Sequence, residues 1–187
     1  IDVSNLPLQL TIQQKQARDT LLKTLSLSVW RRVNSIPNHM IPTPKQDSLE
    51  HLKPAKLAIL FSGGLDCMVL AALASKHVHQ GEPIDLLNVS FENPRSLEAK
   101  EKKNQKQPEL EGLDHTPPLT FSTPDRKTGI KGWNELCTKF PTRTWRFVQV
   151  NVEYEEAMKW KEYIVTLMYP LATVMDLSIA MAFWFAS

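Results

Sequence analysis

The sequence predicts an α/β protein built on a doubly wound parallel sheet. Strand-like and helix-like segments alternate along the 187 residues, which favours a parallel sheet. The segment 57–61, LAILF, is apolar at every position, as is typical of a strand covered by helices on both faces. Ser62, Gly63 and Gly64 follow directly, and an alanine-rich helical pattern begins near Asp66. This strand–loop–helix unit is the feature of the sequence that points to a ligand site.

The spacing of apolar residues and the positions of glycine and proline predict the helices and strands around this unit. Helical spacing of apolar residues predicts a helix over 11–33, and Arg31 and Arg32 fall in its last turn. The proline-rich segment 34–54 predicts an irregular connection. After the central helix, Gly81 and Pro83 break the pattern, and 84–91 reads as a second strand. Residues 1–54 should therefore be an N-terminal helix and an irregular connection, and residues 55–187 should be part of an α/β domain.

The second half contains a change of composition. Residues 93–127 are rich in Lys, Glu, Gln and Pro, which predicts a solvated, mobile insertion; a lid or a partner-binding tail is the functional alternative. Spacing then predicts a helix over 128–139 and a strand over 145–152. Two helices, at 153–168 and 171–186, complete the chain.

Composition excludes several classes of function. The net charge is only +2 and the basic residues are scattered, which argues against nucleic-acid binding. Cys67 and Cys137 lack CxxC spacing, and the five histidines form no metal-ligand pattern, so we expect no metal site of protein ligands. Residues 167–186 approach the length of a membrane helix, but Pro170 and Asp176 interrupt them. With no signal peptide visible, we expect a cytoplasmic protein.

The Ser-Gly-Gly-Leu-Asp segment has the character of a phosphate-binding loop. Glycines at 63 and 64 leave the peptide N–H groups open to an oxyanion, and the following helix directs its positive end to the same place. The Gly-Lys-Ser/Thr of a Walker loop and the GxGxxG of a dinucleotide site are both missing. The plainer alternative is a glycine turn that only joins a strand to a helix.

The loop and its flanks resemble a known family. SGGLD resembles the pyrophosphate loop of the adenine-nucleotide α-hydrolase-like superfamily. With LLKTLSLSVWRRV before it and IDLLNVSF after it, the segment is most similar to the synthetase domain of glutamine-dependent asparagine synthetases. Further on, DRKTGIKGWNEL, TWRFVQVNV and PLATVMDLSIAMAFWFAS resemble a divergent branch of that family. The resemblance covers most of residues 20–187.

This resemblance implies a fold, an activity and a set of ligands. The fold would be that of the pyrophosphate-loop enzymes, incomplete in this chain, and residues 55–187 would be part of an asparagine synthetase-like ATP-binding domain. The activity would be adenylation of aspartate by ATP with Mg²⁺, followed by amidation to asparagine. The partners would be ATP, aspartate and ammonia from glutamine, with neither nucleic acid nor membrane. Catalytic residues are not assigned.

The family also implies roles for individual residues. Pyrophosphate would contact the Ser62 hydroxyl and the loop amides, Asp66 would orient the loop or a metal-bound water, and adenine would contact backbone groups of Phe61 and Val89. Asp125, Arg126 and Asp176 are weaker candidates, for which a salt bridge, a helix cap or a satisfied core polar group is an equal alternative. The pyrophosphate-binding positions are Ser62, Gly63, Gly64, Leu65, Asp66 and Cys67.

The chain departs from the family pattern in ways that leave its activity open. Cys67 replaces the usual serine after the aspartate, exchanging a strong hydroxyl donor for a weak thiol donor. The family's second loop, Ser/Thr-Gly-x-Gly-Ala-Asp-Glu, has no match in residues 1–187, and the chain starts at Ile1 without the cysteine of a glutaminase. We therefore expect a piece of a longer protein. A catalytically inactive nucleotide-binding or scaffold protein and another pyrophosphate-loop adenylating enzyme are the alternatives.

Overall fold

The structure is a computed structural model that describes residues 10–36, 54–93, 121–171 and 173–187. Three strands and five helices lie in these ranges, and the predicted strands at 84–91 and 145–152 are confirmed. In chain order they are α1 (Ile12–Asn34), β1 (Leu57–Leu60), α2 (Leu65–Ala74), β2 (Ile84–Phe91), α3 (Pro124–Lys139), β3 (Trp145–Val152), α4 (Tyr154–Leu167) and α5 (Val174–Ala186).

The described strands form one parallel sheet in the order β1-β2-β3. Leu57 is paired with Ile84, and Ile84 is paired in turn with Trp145, so the three strands begin level with one another. The predicted α/β class with a parallel sheet is therefore confirmed. Strand order follows chain order, and the reversal that defines a doubly wound sheet is not found among these three strands.

Side chains alternate between the two faces of β2 and build two separate clusters. On one face, Ile84 and Leu86 are fully buried with Leu136 of α3 and Ala71 of α2. The opposite face carries a second cluster against α4 and α5, formed by Val89, Phe91, Val150, Val152, Ala157, Ile164, Met181 and Phe185. Helices α2 and α3 thus cover the face that also supports the glycine loop.

Among the described residues, helices cover one face of β1 more fully than the other. Leu57 and Ile59 are half-buried against α1 and α2, whereas Ala58 is exposed on the opposite side. Helix α1 begins as predicted, because Thr11 and Gln14 form a reciprocal cap at its first turn. It packs on α2 through Val29, which is 8% exposed.

Helix α3 begins at Pro124, four residues before the predicted start at 128. Thr123 caps it, because its hydroxyl oxygen accepts from the amide of Arg126 at 3.3 Å, and Pro124 occupies the first helical position. The charge of this segment predicts exposure to solvent, but Arg126 is buried. Residues 124–127 thus belong to a packed helix, while 94–120 of the predicted insertion and 37–53 of the predicted connection lie outside the described residues.

Within the described ranges, none of the helices is long and apolar enough to cross a membrane. The segment 167–186 is divided between the end of α4, a turn containing Pro170, and α5. Helix α5 is 13 residues long and starts at a Thr173 cap.

Candidate functional site

The glycine loop lies at the carboxyl end of β1, between that strand and α2. Gly63 has φ of +80°, a backbone conformation that favours glycine. A Cβ atom at this position would lie 2.2 Å from the carbonyl oxygen of Thr128 in α3. The loop therefore rests directly on the backbone of α3, and Gly63 has a structural role.

Two glycines of α3 complete this close approach. A Cβ atom on Gly132 would lie 3.2 Å from Cα of Gly63 and 2.9 Å from the sulfur of Met68. On Gly129 it would lie 2.6 Å from Nδ2 of Asn88. Neither glycine was predicted to be important, although their spacing on one helix face indicates tight packing.

Gly64 differs from Gly63 because the space above it is open. Its φ is −70° and its ψ is 168°, an extended conformation that any residue adopts. A Cβ atom there would approach only Ser62 Oγ, at 3.5 Å. Nothing in the local backbone requires a glycine at 64, so its small size leaves room over the loop.

The first turn of α2 presents its amides to this open space. Gly64 occupies the N-cap position and supplies no side chain to cap the helix. The first intrahelical bond runs from Met68 N to Gly64 O at 3.1 Å. The amides of Leu65, Asp66 and Cys67 precede it and have no partner within the helix. Together with the helix dipole, they form an arrangement suited to an anion.

Side chains of the loop leave this approach accessible. Ser62 and Asp66 are exposed, and Leu65 is 79% exposed. Cys67 is half-buried, and its thiol donates to Gly64 O at 3.1 Å and lies 3.8 Å from Ser62 Oγ. The structure therefore brings the six predicted pyrophosphate-binding residues together, while their ligand remains a prediction.

Phe61 is anchored below the loop. It is 1% exposed, its amide donates to Leu87 O at 2.7 Å, and its carbonyl accepts from Asn88 Nδ2 at 2.7 Å. Because Asn88 already occupies one lone pair of the Phe61 carbonyl oxygen, an adenine contact there would need the second lone pair. Val89 lies in β2, two residues after Leu87, which is paired with the last residue of β1, Leu60. Its side chain packs in the cluster against α4 and α5. Both adenine contacts stay predictions.

Asn88 joins the loop region to α3 and was not singled out from the sequence. It is 1% exposed, and its Nδ2 also approaches Asp125 O at 3.3 Å. Its Oδ1 is buried without a hydrogen-bond partner. The sequence pattern that could have identified Asn88 is an amide side chain at an inward-facing position of the strand IDLLNVSF.

The three weaker candidates lie in different surroundings. Asp125 is exposed in the first turn of α3. Arg126 is 5% exposed, and its Nη2 reaches toward the end of β3. Asp176 lies in the first turn of α5, where its carboxylate accepts from Oγ1 of the capping residue Thr173 at 2.5 Å and its amide donates to the same hydroxyl at 3.1 Å. The hydrogen bonds that Asp176 makes within the described residues are to Thr173 of its own helix.

The described part of the chain contains no group of three or more His, Cys, Asp or Glu side chains arranged to hold a metal ion. Asp66 is the exposed carboxylate of the loop itself. Any metal ion at the loop would therefore take most of its ligands from phosphate oxygens and water, which is the usual manner of Mg²⁺ in nucleotide sites.

Comparison with known proteins identifies relatives of the chain. It is 36% identical over 189 residues to asparagine synthetase domain-containing protein 1 of Bos taurus. The asparagine synthetase domain-containing proteins of Saccharomyces cerevisiae and Drosophila melanogaster are each 40% identical to it, over 174 and 181 residues. The chain is homologous to asparagine synthetase domain-containing proteins. The resemblance predicted from the sequence is thereby confirmed.

The matches cover most of this chain but only a small part of each relative. They cover 92%, 89% and 94% of this chain, but only 30%, 27% and 29% of the relatives. The chain thus spans under a third of the length of these asparagine synthetase domain-containing proteins, and the glycine loop lies within the shared stretch. No model of a known protein family matches the chain. No solved structure matches it either.

Proposed function

We propose that this chain is the nucleotide-binding part of an ATP-dependent amide ligase that resembles glutamine-hydrolysing asparagine synthetase. The observation that carries the proposal is the open glycine loop with the uncapped α2 amides behind it. Homology to asparagine synthetase domain-containing proteins supports the choice of reaction. The fold would be that of the pyrophosphate-loop enzymes.

Four consecutive residues of the loop would hold pyrophosphate. The Ser62 hydroxyl and the amides of Gly63, Gly64 and Leu65 would donate to phosphate oxygens. The amides of the first α2 turn would add the positive end of the helix. The absence of a side chain on Gly64 allows phosphate to approach the backbone closely.

Magnesium would complete the site through the nucleotide. Asp66 is exposed at the start of α2 and can hold a metal-bound water, which agrees with the one or two carboxylates that such Mg²⁺ sites use. When bound, Mg²⁺ neutralises phosphate charge and so assists nucleophilic attack at phosphorus.

The proposed chemistry follows from which phosphates the loop holds. With the β- and γ-phosphates bound as a leaving pyrophosphate, attack falls on the α-phosphorus. The side-chain carboxylate of aspartate would attack there, forming an acyl-adenylate and releasing pyrophosphate. Ammonia derived from glutamine would then displace AMP and give asparagine.

A nucleotide-binding homologue without ligase chemistry is a second candidate, and Cys67 favours it. The Cys67 thiol donates to Gly64 O within its own helix turn, so it stabilises the loop instead of pointing at a ligand. A thiol is also a weaker donor to phosphate than the usual serine hydroxyl.

The deciding experiment is ATP–pyrophosphate exchange by the full-length protein with Mg²⁺, in the presence and absence of L-aspartate. The ligase predicts exchange that depends on aspartate. Absence of exchange combined with an ATP-dependent rise in unfolding temperature would support the nucleotide-binding homologue. Absence of both effects would remove the nucleotide assignment.

A further inference from the structure

The backbone hydrogen bonds between β1 and β2 stop at Phe61, just before the glycine loop. The Phe61 amide donates to Leu87 O at 2.7 Å, as in a regular parallel ladder. In such a ladder, a residue that donates to one position of the neighbouring strand accepts from the position two residues further along. The regular donor to Phe61 O would therefore be the amide of Val89.

The side chain of Asn88 takes the place of that donor. Its Nδ2 donates to Phe61 O at 2.7 Å and approaches Asp125 O at 3.3 Å. Both neighbours are acceptors, which fixes the amide with Nδ2 toward them and Oδ1 away from them. The ladder thus ends on a side chain of β2 instead of on its backbone.

The backbone groups of Val89 point to the side of β2 on which β1 has ended. Leu87 accepts from Phe61 on that side, whereas Glu92 donates to Val152 O of β3 at 2.8 Å on the other side. Backbone groups alternate between the two sides along a strand. Val89, two residues after Leu87, therefore shares the side of Leu87.

Val89 is left with one donor and one acceptor at the carboxyl end of the sheet. The register of the two strands ends with the pair of Leu60 and Leu87. In the described part of the chain, neither the N–H nor the C=O of Val89 has a hydrogen-bond partner beyond this pair. Backbone groups of this kind require water or a ligand as their partner.

Packing holds the Asn88 amide in position. Its side chain is 1% exposed, and a Cβ atom on Gly129 would lie 2.6 Å from Nδ2, so this glycine makes room for the amide. The Oδ1 atom is buried without a hydrogen-bond partner. Because an unpaired buried acceptor lowers stability, the benefit of the amide lies in what Nδ2 does to Phe61 O.

A donor and an acceptor on one residue match the edge of adenine. Adenine accepts at N1 and donates from its 6-amino group, so the N–H and C=O of Val89 can bond both positions. Guanine carries a donor at N1 and an acceptor at O6, so both contacts with Val89 would be repulsive. The open backbone pair lies beside the glycine loop, because Ser62 follows Phe61 directly.

We propose that Asn88 is a positioning residue for the base of a bound nucleotide. By bonding Phe61 O, it ends the β1–β2 ladder and keeps the N–H and C=O of Val89 free to select adenine over guanine. The inference rests on the proposed binding of a nucleotide at the loop. It deepens that function by naming the side chain that keeps the base site open.

Hydrogen exchange in the full-length wild-type protein tests the free amide without any substitution. The Val89 amide should exchange faster than the amide of Leu87, which lies within the paired ladder. ATP with Mg²⁺ should slow the exchange at Val89, whereas tripolyphosphate with Mg²⁺, which has no base, should not. A Val89 amide as protected as that of Leu87 before any ligand is added would overturn the proposal.

Asn88→Ala removes the side-chain donor from Phe61 O in the full-length protein. The Val89 amide is then the donor in register, so its exchange should slow in the absence of ligand. Calorimetry should show an affinity for ATP that is about 10- to 100-fold lower, the usual worth of a paired donor and acceptor on a base. Affinity for tripolyphosphate should be unchanged, and the preference for ATP over GTP should disappear.

Ser90→Ala is the matched control at the next inward position of β2. Ser90 is also 1% exposed, and its hydroxyl bonds to Phe121 O at 2.9 Å and to Thr123 Oγ1 at 3.0 Å. Its loss should lower stability without changing the exchange at Val89 or the preference for ATP. Equal losses of ATP affinity in Ser90→Ala and Asn88→Ala would overturn the proposal, and so would an unchanged ATP preference in Asn88→Ala.

The inference and the ligase function can fail separately. Aspartate-dependent pyrophosphate exchange that proceeds equally well with ATP and GTP would overturn the role of Asn88 alone. An Asn88-dependent preference for ATP without any pyrophosphate exchange would overturn the ligase and support the role of Asn88 in a nucleotide-binding homologue.

Discussion

Gly63 lies so close to Thr128 that a Cβ atom on the glycine would stand 2.2 Å from the carbonyl oxygen of the threonine. A backbone-to-backbone contact of this kind fixes the loop on α3 before any ligand is present. Gly64, the next residue, meets only Ser62 Oγ at 3.5 Å. The two adjacent glycines therefore have different roles, one in folding and one in leaving space.

Gly63→Ala should destabilise the free protein. A left-handed conformation costs a non-glycine residue about 1 kcal/mol, and overpacking against backbone costs about 1–3 kcal/mol more. We expect the free energy of unfolding, measured by urea denaturation, to fall by about 2–4 kcal/mol. Gly64→Ala is the matched control and should change it by less than about 1 kcal/mol, because φ is −70° and the space is open. Equal losses in the two variants would contradict the division of roles.

Gly64→Val should remove nucleotide binding while retaining the fold. Its side chain would fill the open space over the loop and block the approach of phosphate to the α2 amides. The rise in unfolding temperature caused by ATP with Mg²⁺ should disappear, while circular dichroism of the free protein stays native. An ATP-dependent rise equal to that of wild type would remove the loop assignment.

The sequence predicted the loop because the loop's determinants are local. Ser62, Gly63 and Gly64 follow an apolar strand and precede a helix. The residue patterns of both segments predicted these elements correctly. The strand at 84–91 was predicted with its bounds correct for the same reason. Local patterns cannot name a ligand, and the proposal of ATP rests on the resemblance to a family.

What escaped prediction depends on contacts between distant residues. Asn88 approaches Phe61 and Asp125, which are 27 and 37 residues away in the chain. The start of α3 was misplaced because charge at 125–127 suggested solvent, whereas Arg126 is buried against β3. Polar residues at inward positions can be recognised in a sequence, but their partners become visible only in the fold.

Bound nucleotide should protect Cys67 from alkylation. The thiol lies in the first turn of α2, beside the open loop, and a phosphate in the loop would cover it. Cys137 is an internal control in α3, and burial raises the pKa of its thiol, so it holds little reactive thiolate. Mass spectrometry after iodoacetamide treatment should show ATP with Mg²⁺ slowing the labelling of Cys67 alone. Unchanged labelling of Cys67 would argue against a ligand in the loop.

Substitutions that change the size or the charge of the Asn88 side chain should both lower the free energy of unfolding. Asn88→Ala leaves the buried carbonyl of Phe61 without its donor and should cost about 1–3 kcal/mol of unfolding free energy. Asn88→Asp should cost more at neutral pH, because a carboxylate would face that carbonyl oxygen. Asn134→Ala, on the exposed side of α3, is the control and should have little effect.

The Asn88→Asp variant should also depend on pH. Burial would raise the pKa of the new carboxyl group above its unfolded value of about 4, because only the protonated acid can donate to Phe61 O. Stability is then fully present below the unfolded pKa and lost as pH rises toward the folded pKa. Urea denaturation from pH 4 to 8 should show a deficit relative to wild type that grows with pH. A stability deficit that does not change with pH would mean that the new carboxyl group is exposed to water.

Arg143 should be a major contributor to stability near the amino ends of the strands. Its guanidinium donates to the carbonyls of Ser75, Val78, His79 and Glu82 at 2.6–3.0 Å, and so satisfies the carboxyl end of α2 and the turn after it. Removing a charged donor from several carbonyls should cost about 2–4 kcal/mol. We therefore expect Arg143→Met to lower the free energy of unfolding by that amount in urea.

Two further variants separate geometry from charge at this position. Arg143→Lys should recover little of the loss, because one ammonium group cannot reproduce the planar fork that reaches four carbonyls. Arg32→Met removes an exposed arginine that bonds to Ser28 of its own helix, and it should cost less than about 1 kcal/mol. A full recovery in Arg143→Lys would show that positive charge at the helix end, and not the four hydrogen bonds, provides the stability.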